Sequence, residues 1–555
     1  MTTVDRPVAV PLASPRAWPS AGATAALTVH ALRAFTRSPM SAFFTIALPL
    51  SFFLIVNAIV GDTPVTDGGA VRVSQFLVAP FAVFGTVEAV FCVLATDLAV
   101  LREAGVLKRL RGSPVPAWSV LSARVCAAVL VALSSVALLV TVGVLGYDVQ
   151  IVWRKAPAAV AALVLGTACF AALGLALVGL TRSALAAQTA SNGLLIPVAF
   201  ISNVFMVGAD LPAPLAWAGR ILPLRHFADA VSAAFDPVAA GSGFRPGDLA
   251  VMAVWGAAGA VVAGRRFGWE PRQRARTPVP RPAVAAAPGP VPALAAAAVR
   301  PVEPGPVRMV GVQVRAAFIA MRRDALAVFF AAAFPVMLLL LFPAVLPDAT
   351  FEAMPLGTFM VPSMVAYSIA VTMYVNLPAA VAQARDRGVL DRLRGSPAPL
   401  WTFYAGRAAA AGLSAAGTAV LLVAAGALGN GYRPDPARLP AAALAFLAGV
   451  ACCAALGFAL VAWLRAGQYV AAVALGTLLP LSFISDVFVV GTGGPLPPAL
   501  RYTADVFPLK HLSRAMIDAL GPAGAGSGVA WTHLGVLVAW TLAGALLAAR
   551  PRRPG

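Results

Sequence analysis

Three lysines and four histidines in 555 residues leave little for hydrolytic chemistry. A phosphate-binding loop of the Gly-x-x-x-x-Gly-Lys-Ser/Thr kind needs a glycine before its lysine. Lys108, Lys155 and Lys510 follow Leu107, Arg154 and Leu509 instead, so the chain has no such route to ATP. His30, His226, His511 and His533 lie far apart in sequence, and neither HExxH nor GxSxG occurs. The five cysteines show no CxxC spacing, which leaves them as small packing residues. What the chain does repeat is a cluster of arginines. Residues 98–114 (LAVLREAGVLKRLRGSP) return at 381–397 (VAQARDRGVLDRLRGSP), agreeing at 11 of 17 positions. Drawn as one continuous helix, the first copy places Arg102, Gly105 and Arg109 on one face, and the second places Arg385, Gly388 and Arg392 there. Glu103, Leu107 and Leu110 fall opposite, as do Asp386, Leu390 and Leu393. Gly-Ser-Pro then ends the helix. The chemistry open to such a face is docking: a partner can approach the bare glycine and pair with the arginines beside it.

The elements that hold these segments are long apolar runs. The chain is 60% hydrophobic and 11% charged, with mean hydropathy +0.85, whereas soluble domains carry roughly 25% charged residues. This is the composition of a polytopic helical membrane protein. Spans are expected near 40–60, 75–97, 117–146, 157–180, 187–207 and 247–264. A second set follows near 326–346, 357–380, 400–427, 440–463, 467–490 and 530–549. With this topology 30 of the 41 Lys and Arg residues fall on one side of the bilayer, the bias of cytoplasmic loops. The net charge of +19 therefore records orientation and contact with anionic lipid, and no nucleic acid is expected as a partner.

Both halves share further landmarks. A short basic helix precedes the first span of each (25–39 and 310–325), as expected of an interfacial element. LIPVAFISNVFMVG (195–208) returns as LLPLSFISDVFVVG (478–491), and ILPLRH (221–226) as VFPLKH (506–511). The segments before the sixth spans are broken by prolines and too short to cross, which suggests pairs of half-helices dipping into the outer leaflet. The expected organisation is a tail at 1–24, a six-span unit at 25–268, a linker at 269–309 and a second unit at 310–555. The linker carries ten prolines in 271–306, a composition that builds no core. Six spans is an even number, so both units have the same orientation and are related by a pseudo-two-fold along the membrane normal. Glu88 is the one carboxylate near mid-bilayer in the first unit, and its counterpart is Val371. Intramembrane acids point to function, here either contact with a cationic substrate or a packing role beside an aqueous cavity. Ser202, Asn203 and Phe205, with Ser485, Asp486 and Phe488, are the other candidates for a pathway, although polar glue between helices suits the Ser-Asn and Ser-Asp pairs equally.

Glu103 to Pro114, read as E-x-G-x-x-x-R-L-R-G-S-P, resembles the coupling-helix signature of ABC-2 type exporter permeases, the type V exporter fold. These pair with daunorubicin-type antibiotic ATPases or with polysaccharide and lipid exporters. The resemblance implies an all-α fold of two tandem units, 12 spans in all, with elbow helices, cytoplasmic coupling helices and re-entrant outer helices. It also implies that Arg102, Glu103, Gly105, Arg109, Leu110 and Arg111 dock a cytoplasmic ATPase subunit, as do Arg385, Asp386, Gly388, Arg392, Leu393 and Arg394. ATP and Mg would be bound by two copies, or a heteromeric pair, of that ATPase, and no cofactor by this chain. Asp386 in place of Glu, and Asp391 opposite Lys108, make the two surfaces unequal. The expected activity is export of a hydrophobic or amphiphilic compound across the plasma membrane, with both termini cytoplasmic. A proton-coupled 12-span transporter, suggested by Asp386-Arg387-Gly388, and a non-transporting membrane scaffold are the alternatives.

Overall fold

The computed structural model describes residues 20–60, 63–64, 71–206, 211–270, 305–322, 324–351, 354–396, 398–464, 467–488, 497–521 and 527–549. Most of the amino-terminal tail and of the Pro-rich linker, and the carboxy-terminal RPRRPG beyond residue 549, lie outside them. The first half comprises α1 (Ser20–Thr36), α2 (Pro39–Ile59), α3 (Val73–Glu103), α4 (Val106–Arg111) and α5 (Ala117–Tyr147). It continues with α6 (Trp153–Leu180), α7 (Ala184–Phe200), α8 (Ala213–Ile221), α9 (Pro223–Phe235) and α10 (Pro246–Arg266). The second half repeats this order as α11 (Pro306–Arg322), α12 (Ala325–Val345), α13 (Leu356–Asp386), α14 (Val389–Arg394) and α15 (Leu400–Asn430). Then come α16 (Pro436–Trp463), α17 (Gly467–Ile484), α18 (Pro498–Val506), α19 (Pro508–Leu520) and α20 (Trp531–Ala549). Ten of these helices are long and apolar enough to cross a membrane. α7 and α17 are apolar but shorter, because each runs into a turn where the sequence suggests a span reaching 207 or 490.

α3 and α13 are apolar all round and sit at the centre of their halves. Val78, Val83, Val87 and Leu98 in one, and Val361, Met364, Tyr367 and Val381 in the other, are fully buried. Each carries one wider, π-type turn at matching places, Glu88–Val93 and Val371–Asn376. The first spans have π turns too, at Phe43–Ala47 and Phe329–Ala333, just ahead of Pro49 and Pro335. A proline inside a helix leaves the carbonyl four residues back without its donor. That carbonyl is recovered from another helix in both halves. Ser135 Oγ donates to Thr45 O at 2.9 Å, and Ser368 Oγ donates to Ala331 O at 2.9 Å.

Close helix approach uses small residues. Gly256 and Gly259 of α10 lie against Cys169 and the Ala172–Leu173 backbone of α6, and Gly544 of α20 lies against Ala455–Leu456 of α16. The halves meet reciprocally through their first and fifth apolar helices. The Phe43 ring lies over Gly476, and Phe52 meets Phe483 with centroids 4.8 Å apart, while Phe200 meets Phe342 at 6.0 Å. An interface in which α2 meets α17 and α12 meets α7 is the self-complementary contact of a pseudo-two-fold.

α4 and α14 lie at one end of the bundle, the charged face. α8, α9, α18 and α19 form a cap at the other. The cap helices are amphipathic and pack inward: Leu224, Phe227 and Val231 of α9 are buried, with the Phe227 ring over Gly166 of α6. Lys155 and Arg438, themselves buried, reach the carbonyl ends of α9 and α19. Lys155 Nζ donates to Asp236 O at 2.7 Å and Arg438 Nη1 to Asp518 O at 3.3 Å. Trp255 and Trp540 tie α10 and α20 to the ends of α8 and α18 through Ile221 O and Val506 O, at 2.9 and 3.0 Å.

Candidate functional site

The charged segments are not the single helices that their periodicity suggests. α3 stops at Glu103 and α4 starts at Val106, with Gly105 between them at φ 68°; Gly388 repeats the break at φ 68°. Glycine takes this left-handed conformation without cost, and a side chain there would be strained even though the space around it is open. The break sorts the candidate residues into two groups.

Arg102 is turned into the protein, which corrects its expected place on a partner-facing surface, while Glu103, Arg385 and Asp386 make bonds within the protein and keep part of their surface exposed. Arg102 is 1% exposed and forks onto two carbonyls at the end of α6: Nη1 to Val178 O at 2.6 Å and Nη2 to Thr181 O at 2.9 Å. Arg385 repeats the fork onto Val461 O and Leu464 O at 2.7 and 2.9 Å. These are carbonyls that a helix end leaves without intrahelical donors. The Glu103 carboxylate accepts from Ala184 N at 3.0 Å, and Asp386 accepts from Gly467 N at 2.8 Å, each at the positive start of the fifth apolar helix. The shorter Asp386 therefore does what Glu103 does. Together, each Arg–acid pair clamps the corner between the fourth and fifth apolar helices to the end of α3 or α13.

Beyond the break, Leu107 and Leu390 are buried pegs, and Leu110 and Leu393 are half-buried. Lys108, Arg109 and Arg111 project outward in the first half, Asp391 and Arg392 in the second, with Arg394 paired to Asp391 at 3.1 Å. Lys108 lies 3.4 Å from Glu270, just where the described part of the first half ends. Ser113 and Ser396 donate back to Leu110 O and Leu393 O and close each segment. Further in, Arg124 pairs with Asp97 at 2.9 Å, while Arg407 has no such acid among the described residues and lies over the Phe403 ring.

The second candidate set separates as well. Glu88 is buried at the start of the α3 π turn, beside Cys92, whose thiol in turn reaches Ser191 on α7. Asn203 and Asp486 lie in the turns that end α7 and α17, each at φ 56°. Asn203 Nδ2 donates to Asp229 Oδ1 at 3.0 Å, and Asp486 pairs with Arg514 at 2.8 Å, so both pin the turn to the second cap helix. The beginnings of α9 and α19 match at an offset of two residues more than the spans, which makes Asp229 and Arg514 equivalent. The link is kept while its charges are exchanged. Ser202 and Ser485 are fully buried, and their hydroxyls find no partner among the described residues.

Phe205 and Phe488 join a feature that no local pattern announces. Six phenylalanines, three from each half, form a closed collar where the halves meet. Phe52 neighbours Phe483 at 4.8 Å, Phe483 neighbours Phe488 at 5.1 Å, and Phe488 neighbours Phe334 at 6.2 Å. Phe334 neighbours Phe200 at 6.3 Å, Phe200 neighbours Phe205 at 4.9 Å, and Phe205 returns to Phe52 at 5.7 Å. Phe84 and Tyr367 back it from α3 and α13 at 4.9 and 5.1 Å. The Tyr367 hydroxyl is buried with no partner among the described residues. The repeat of Phe200–Phe205 as Phe483–Phe488 was the one available signal, but nothing in it states that the two pairs meet.

The profile of the ABC-2 type transporter family matches residues 23–235 and again residues 310–520, ending at the cap helix in each half. No curated protein matches the chain. The two matches cover most of the polypeptide and coincide with the two repeats of the fold: this chain belongs to the ABC-2 type transporter family, as two copies of its multi-pass membrane domain joined in one polypeptide.

Proposed function

We propose that the chain is the permease subunit of an ATP-driven exporter, moving a hydrophobic or amphiphilic compound out of the cytoplasm or inner leaflet. The observation that carries this reading is the pair of clamped charged segments. In each half a short cationic helix is pegged to the bundle by a buried leucine and turns its charges outward, while the Arg–acid clamp behind it is locked to two helix ends. A push on α4 or α14 is thereby delivered both to the central helix and to the corner of the fifth. α4 and α14 would be the coupling helices, docked by two copies, or a heteromeric pair, of a cytoplasmic ATPase that binds the ATP and Mg. Arg109, Arg111, Arg392 and Arg394, with Gly105 and Gly388, make the contact. Lys108 against Asp391 favours unequal sockets.

The collar closes the route between the halves in this conformation. Rotation of the halves would part Phe52 from Phe483 and Phe200 from Phe334, the two ring contacts of the collar that cross between them, and open it. Glu88, present in one half only, suits the cationic group of an amphiphile, and Ser202, Ser485 and Tyr367 offer hydroxyls to its polar parts. The basic charged face is the cytoplasmic one by the positive-inside bias, which puts both termini inside the plasma membrane.

Co-purification and turnover test the reading. A soluble ATPase should bind the chain, and its hydrolysis should respond to lipophilic cations. The double charge reversal Arg109→Glu plus Arg392→Glu should leave insertion intact and uncouple hydrolysis from export. Transport that persists without any ATPase and collapses with the proton gradient would establish the secondary-transporter alternative instead.

A further inference from the structure

The two caps are tied to the sixth spans by histidine contacts of opposite chemical character. In both halves the histidine that opens the second cap helix sends Nε2 to a backbone carbonyl: His226 to Arg220 O at 2.8 Å, His511 to Asp505 O at 2.8 Å. A carbonyl only accepts, so Nε2 carries a proton in each case. Nδ1 then meets equivalent positions at the start of the sixth span. His226 Nδ1 lies 2.7 Å from Asp248 Oδ1, whereas His511 Nδ1 lies 2.8 Å from His533 Nδ1. In the first half both ring nitrogens face acceptors, and the contact is complete when the imidazole is doubly protonated. The second contact holds one shared proton. With His511 protonated at Nε2, its Nδ1 accepts from Nδ1–H of His533. A second positive charge would leave two N–H groups facing each other at hydrogen-bond distance.

Most acids near the pair are already engaged by other cations. Lys510 takes Asp505 at 2.6 Å and holds its carboxyl below the usual range, Arg514 takes Asp486 at 2.8 Å, and Arg438 takes Asp435 at 3.8 Å. Asp505 gives His511 its backbone carbonyl and a carboxylate that Lys510 already holds, while Asp518 on α19 acts on His533 against the positive charges of Arg514 and Lys510. Arg501, on α18, adds to the positive charge near Asp505. The Trp255 and Trp540 ties are alike in both halves, so of the two ties from cap to sixth span it is the histidine contact that differs.

We propose that these contacts form a pH-sensitive device in which acidification loosens the second cap, α18–α19, from α20, while it leaves the first cap, α8–α9, bound to α10. The sign follows from proton counts. Two fully protonated rings leave no lone pair at either Nδ1, so the His511–His533 tie stands while one Nδ1 is free to accept and is lost on acidification. The His226 ring loses no contact on acidification, because both its nitrogens already face oxygen acceptors, Arg220 O and the Asp248 carboxylate that Arg245 also holds at 3.1 Å. An asymmetric permease would thus have one cap responsive to the acidity of the compartment it faces.

Hydrogen–deuterium exchange of the full chain in nanodiscs tests this, with both caps read in one sample. Lowering pH from about 7.5 to about 5.5, with exchange corrected for its intrinsic pH dependence, should reduce protection of α19 amides by about threefold or more, and not of α9 amides. Two reciprocal variants guard against a trivial loss of fold. His533→Asp should reverse the response of α19, and Asp248→His should install the acid-induced loosening in α9. Equal responses of both caps in the native chain, or an α19 response unchanged in His533→Asp, would overturn the proposal.

Discussion

Replacing Arg102 by lysine tests the clamp most directly, because it keeps the charge and removes only the fork. A guanidinium satisfies two carbonyls with one rigid plane, whereas an ammonium is a point donor on a flexible stem. Val178 O and Thr181 O stand 2.6 and 2.9 Å from different nitrogens of Arg102, and the side chain is almost wholly enclosed. Lysine can reach one carbonyl and leaves the other buried without a donor. Such an orphan costs about 1–3 kcal/mol. The same change at Arg385 should cost less, since that side chain is 28% exposed and water can serve the abandoned carbonyl. Equilibrium unfolding of the purified chain by SDS titration should therefore rank Arg102→Lys below Arg385→Lys, and both below the native protein. ATPase binding should survive in both, because neither side chain is offered outward. The reasoning fails if Arg102→Lys keeps native stability yet loses the partner, which would make Arg102 a docking residue after all.

Removing one ring from each half of the collar by the pair Phe205→Ala and Phe488→Ala should raise ATP-independent leak of a lipophilic dye from proteoliposomes; an unchanged leak would mean that the seal lies elsewhere. Glu88→Gln should reduce export of a cationic amphiphile by about tenfold, the worth of some 1.4 kcal/mol of lost attraction, and should spare a neutral analogue of the same shape. Equal losses for both compounds would mark Glu88 as a packing residue. Ser135→Ala should cost about 1–3 kcal/mol by stranding the Thr45 carbonyl that Pro49 leaves without a helical donor. In a Pro49→Ala background that cost should shrink, which a double-mutant cycle measures directly.

Much of this molecule could be read along the chain. Apolar runs of 20 residues or more admit few structures other than membrane helices, because a backbone out of water must satisfy its own hydrogen bonds. The duplication, the linker and the basic bias come from comparing one stretch with another, and no coordinates are needed for that. The fifth spans were drawn too long, since the hydrophobicity of VAFISNVFMVG continues past Phe200 while Asn203 turns the chain by adopting φ 56°. The 98–114 segment was drawn too regular for a related reason. Glycine is compatible with a helix and with a left-handed turn alike, and periodicity cannot choose between them.

Local period, charge and repetition settled the class, the two halves and the places where cations cluster. Contacts between residues far apart in sequence settled which of those cations matter to whom. Arg102 turns inward because two carbonyls some 76 to 79 residues away need donors, and Arg109 projects because no acceptor among the described residues takes it. Six phenylalanines close into a collar, and four scattered histidines yield one imidazole pair, only once the halves are packed, since a side chain's partner across an interface leaves no period in its own helix.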